Sequence, residues 1–102
     1  MEYVYEMRVL DSQLPAKTLM EVKKLTGLPL SEIKARVSDG RSLFQCECAD
    51  EDGMVLLLNL HSVLSASGAI AEFIDCGDPA PIQYLRNALQ AYREIDEEDY
   101  PD

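Results

Sequence analysis

The chain has 102 residues, enough for one domain with its own core and too few for two. Its net charge of −10 argues against nucleic acid as a partner, because phosphate binding needs a basic footprint. The longest strictly apolar run, Met54 to Leu58, is far below a membrane span, and Met1 to Arg8 shows no secretory signal.

Charge is unevenly placed along the chain. Residues 1–16 carry one base and three acids, residues 17–41 six bases and three acids, and residues 42–102 two bases and thirteen acids. An acidic protein of this kind suits a basic protein partner, with long-range attraction raising the association rate. Three cysteines fit no closed disulfide framework and suit a reducing compartment, so the expected location is the cytoplasm.

Tyr3, Tyr5, Met7 and Val9 alternate with Val4, Glu6 and Arg8, the period of a half-buried strand. After the break at Asp11 to Pro15, Leu19, Val22 and Leu25 mark one face of a helix from about Ala16 to Thr26. Gly27 stands where a helix C-cap needs a left-handed residue, and Pro29 suits the first turn of the next helix. That second helix runs to about Val37, with Leu30, Ile33 and Val37 at helical spacing, and ends at Ser38-Asp39-Gly40.

Leu43 to Cys48 reads as a strand with Phe44, Cys46 and Cys48 on one face, which places both cysteines in the core. The segment after Asp50-Glu51-Asp52-Gly53 has two readings. Met54 to Leu58 could return as the second strand of a hairpin, since Asp-Gly favours such turns. Alternatively it opens a helix capped by Asp50 or Asp52 and closed by Gly68, with Leu56, Leu60, Val63 and Leu64 at helical spacing. Leucine is a better helix than strand former, which favours the helix.

Ala69 to Asp75 reads as a strand apolar on both faces, as an interior strand would be. Asp78 with Pro79 is expected to start a last helix to about residue 95, striped by Leu85, Leu89, Tyr92 and Ile95. Residues 96–102 form an acidic tail, too charged to pack unaided. The expected architecture is α+β, β-α-α-β-α-β with a three-stranded sheet backed by helices, plus the C-terminal helix, in a single domain over 1–95.

The corner Leu25-Thr-Gly-Leu-Pro-Leu-Ser-Glu-Ile-Lys34, together with Leu60-x-x-Val-Leu64-x-x-x-Gly68-Ala69, resembles the C-terminal domain of the bacterial ribosomal stalk protein. The resemblance covers about residues 3–76 and implies that fold, which the Clp protease adaptor shares in its order of elements. It also implies a docking patch for translation GTPases on the first two helices, falling here on Ala16, Leu19, Met20, Lys23 and Lys34. Lys24 lies beside that patch, one turn on from Met20.

No catalytic motif stands out, and no cofactor or metal is expected. Cys46, Cys48, Cys76 and His61 number four, as a closed zinc site needs, but they lack the Cys-x-x-Cys spacing. His61 is the only histidine available as a base for a thiol nucleophile. The expected function is therefore protein binding. An immunity or antitoxin-type protein that neutralises a basic, nuclease-like toxin fits best, with Asp50, Glu51, Asp52, Asp96, Glu97, Glu98 and Asp99 as the contact residues. The alternatives are a translation-associated accessory protein using Met20, Lys23, Lys24 and Lys34, or a protease-adaptor-like module.

Overall fold

The computed structural model describes residues 3–98, with side chains to Glu94. The elements are β1 (Val4–Val9), α1 (Ala16–Thr26), α2 (Leu30–Asp39), β2 (Phe44–Glu47), α3 (Glu51–Ala66), β3 (Ala71–Asp75), β4 (Asp78–Ala80) and α4 (Ile82–Glu98). The class is α+β, an antiparallel sheet backed by helices with a C-terminal helix added.

The sheet order is β2-β1-β3-β4, antiparallel throughout. β1 alternates as its sequence requires, turning Tyr5, Met7 and Val9 toward the helices, with Met7 and Val9 fully buried. Phe73 lies opposite Met7 and Asp75 opposite Tyr5, so β3 presents the same parity to the same layer. On the outer face Arg8 pairs with Glu72, while Ile74 is buried between neighbours as expected of an interior strand.

α1 ends at Gly27, whose φ of 76° lets its N–H reach the Lys23 carbonyl at 2.8 Å. Lys23 and Lys24 occupy the last turn, where the helix dipole favours cations. Pro29, with ψ of 150°, is the residue before α2 rather than its first, and Ile33 and Val37 face inward.

The ambiguous segment is helix. Its first turn carries Glu51 and Asp52 at the positive end of the dipole, and the Asp50 carboxylate accepts from the Gly53 N–H at 2.9 Å. Met54, Leu57, Leu60 and Leu64 are fully buried, while Val55 and Leu58 pack at the margins of the same cluster. α3 is apolar nearly all round because it is covered on several sides, by the sheet, by α1 and by α4. From α4, Leu85 and Leu89 supply the cover. Asp50→Ala is expected to cost about 1 kcal/mol in urea unfolding. Asp50→Asn should cost less, because asparagine caps as well and only the charge near the dipole is lost.

Two expectations need correction. Asp78 and Pro79 do not start the last helix; they form β4, a fourth strand where three were expected, and α4 begins at Ile82. The cause is the Cys76-Gly77 turn, with φ of 51° and 90°, which folds the chain straight back onto β3 so that Asp78 faces Asp75. Cys48 is also not a core residue. β2 ends at Glu47, so the alternation that buries Cys46 stops one residue before Cys48, which is half-buried at the end of the sheet. Asp96, Glu97 and Glu98 fall within α4, but their side chains, and Asp99 with the rest of the tail, lie outside the described residues.

Candidate functional site

Strand pairing gathers the acidic segments. β2 and β3 both reach the start of β1 with their C-terminal ends, Glu47 opposite Val4 and Asp75 opposite Tyr5. The β2–α3 turn with Asp50, Glu51 and Asp52 therefore shares one end of the molecule with the β3–β4 turn bearing Asp75 and Asp78. Arg93 of α4 reaches Glu51 at 3.4 Å, which brings the C-terminal part of α4 to that end too. Asp50, Asp52 and Asp78 are exposed and Glu51 half-exposed.

The lysines are elsewhere. Lys17, Lys23, Lys24 and Lys34 all lie on α1 and α2, exposed, and none forms an ion pair among the described residues. Arginines make the internal bridges instead, as in Arg36 to Glu32 at 2.9 Å. Met20 is 45 % exposed beside these lysines. Lys34 also lines a groove of about 330 Å³ with Leu14, Leu19 and Val37. All four residues of the alternative docking patch are exposed.

The four residues weighed as a zinc set do not form one cluster. Cys46 is buried, and burial, then the Asp50 charge, pushes its thiol up to about 11. His61 lies toward the other end of β1, beside Leu10, Ile70 and Ile82, where desolvation and then Arg86 lower its pKa. The raised thiols of Cys46 and Cys76 are weak nucleophiles at neutral pH.

A different group assembles. Cys48, from beyond β2, comes together with Asp75 and Cys76 at the end of β3, their ligand atoms all within 4.8 Å of one another. The Tyr5 ring packs on Phe73 at 5.4 Å between centroids. Burial first, then the proximity of Cys48, Asp75 and Cys76, pushes Tyr5 up to about 12. The Cys76 thiol is raised as well, by desolvation and then by its hydrogen bond to Asp75. Sequence spacing hid this group, since Cys48 and Cys76 meet only because β2 and β3 both pair with β1. The one local signal was a cysteine preceding glycine in a turn.

No family model matches the chain, and neither the curated proteins nor the solved structures compared with it give a match. Among the described residues, no helix is long and apolar enough to cross a membrane.

Proposed function

We propose that the chain is a non-catalytic domain that binds a basic protein through its acidic end, as an immunity or antitoxin-type protein occludes a nuclease-like toxin in the cytoplasm. The observation that carries the reading is the convergence of acidic segments: the β2–α3 turn, the β3–β4 turn and the C-terminal part of α4 meet at one end. Groups that repel one another in the free protein are relieved when a cationic surface covers them.

A second reading is favoured by Met20 and the unpaired Lys23, Lys24 and Lys34, a mixed apolar and basic face suited to a translation-associated partner. One experiment separates them. Tagged protein is used to capture partners from the native host's lysate at low and moderate salt, in three forms. In the first reading, Asp50→Asn/Asp52→Asn/Asp78→Asn lowers recovery of a basic protein about tenfold at low salt, and Lys23→Glu/Lys34→Glu leaves it unchanged. The reverse pattern would move the contact to the α1–α2 face. Equal recovery by all three forms would refute both.

A further inference from the structure

We propose that Cys48, Asp75 and Cys76 form a binding site for a thiophilic divalent cation of the zinc class. Two thiols and one carboxylate, drawn from two strand ends, already lie within 4.8 Å of one another. Bound zinc holds sulfur at about 2.3 Å and carboxylate oxygen at about 2.0–2.2 Å, so tetrahedral ligands sit about 3.8 Å apart or less. The ligand atoms would have to close by about 1 Å at most. Cys76 is exposed, which leaves the fourth position open to water or to a ligand from outside.

The turn itself supplies a second observation. Cys76 is the one described non-glycine residue with positive φ, at 51°, and occupies the first position of a two-residue hairpin turn. Asparagine, aspartate or glycine is favoured there, because that backbone region is uncomfortable for other side chains. A cysteine in this place is poor turn chemistry, and it is the residue whose sulfur meets Cys48 and Asp75.

A disulfide is the obvious competitor, and the topology opposes it. The Cys48 N–H bonds the Tyr3 carbonyl and the Cys76 N–H bonds the Val4 carbonyl, so β1 lies between the two cysteines. Two strand spacings separate their backbones by about 9–10 Å, beyond the roughly 7 Å that a disulfide spans. A metal ion bridges that width because it adds two metal–sulfur bonds to the reach.

Asp75 forms no ion pair among the described residues. A divalent ion would give that carboxylate a partner and displace the two thiol protons to solvent.

The test titrates cobalt(II), a spectroscopic stand-in for zinc, into the reduced full chain. Saturation at one equivalent is expected, with thiolate-to-cobalt charge-transfer absorption that zinc then abolishes. Cys48→Ser and Cys76→Asn should remove the band, and Cys46→Ala should keep it. Because Cys76→Asn installs the residue the turn prefers, loss of binding in a variant that melts at or above the parent's temperature cannot be unfolding. Absence of a band at stoichiometric cobalt, or its survival in Cys76→Asn, would overturn the site.

Discussion

Gly53→Ala is expected to destabilise the protein by about 3 kcal/mol, against the sign that helix propensity gives. Gly53 lies in the first turn of α3 with ordinary helical backbone, where alanine normally gains about 1 kcal/mol. Here the space is taken. A methyl at Gly53 would stand 2.7 Å from Asp50 Oδ2 and 2.8 Å from Cys46 Sγ, and nearer still to Cys46 Cβ. Overpacking of this kind costs about 1–3 kcal/mol, and pushing Asp50 aside also removes the cap, worth about 1 kcal/mol. Because part of the clash is with Cys46 Cβ, Cys46→Ala in the same chain should restore only a fraction of the loss. Urea unfolding of the two variants measures this. A Gly53→Ala protein as stable as the parent would mean that α3 does not start hard against β2.

Leu57→Ala should cost about 4 kcal/mol, while Leu56→Ala and Leu58→Ala should each cost about 1–2 kcal/mol. Leu57 is fully buried and shares its stripe with Met54, Leu60 and Leu64, all equally buried. Leu56 and Leu58 are half-buried. The contrast comes from a helix encased by the sheet, α1 and α4, in which little can collapse into the vacated volume. A strand would instead group Met54, Leu56 and Leu58 on one face. Equal losses at the three leucines would contradict the packing. For a domain of this size, 4 kcal/mol lowers the melting temperature by on the order of 15–30 °C.

What could be read in the sequence follows the range of the forces involved. The α1–α2 corner was legible because Gly27 and Pro29 act on their own backbone, and β1 because Met7 and Val9 alternate with charged residues. α3 was harder, since Val55 to Leu58 carry apolar side chains toward every direction. A cap at Asp50 or Asp52, closure by Gly68, the leucine spacing and leucine's helix preference favoured helix, and the cap is seen at Asp50. β4 was missed because proline at the centre of a three-residue segment reads as a break, whereas at a sheet edge one missing N–H is tolerated. Cys48 was misplaced because strand parity was carried one residue past the end of β2. The Cys48, Asp75 and Cys76 group could not be read at all. No local pattern states that two strands will flank the same third one.

The order of strands also decides when the sheet can be finished. β1 precedes the other three strands in the chain, yet it lies inside the sheet, and Tyr5 must wait for Cys46 and Asp75, roughly forty and seventy residues downstream. The α1–α2 hairpin closes through near neighbours within microseconds, but each pairing of β1 must first meet the entropy of a long closed loop. On a ribosome, β1 therefore emerges with both edges bare, gains β2 after two helices have been made, and stays one-sided until β3 arrives. The first strand of the fold is thus enclosed only when the third arrives.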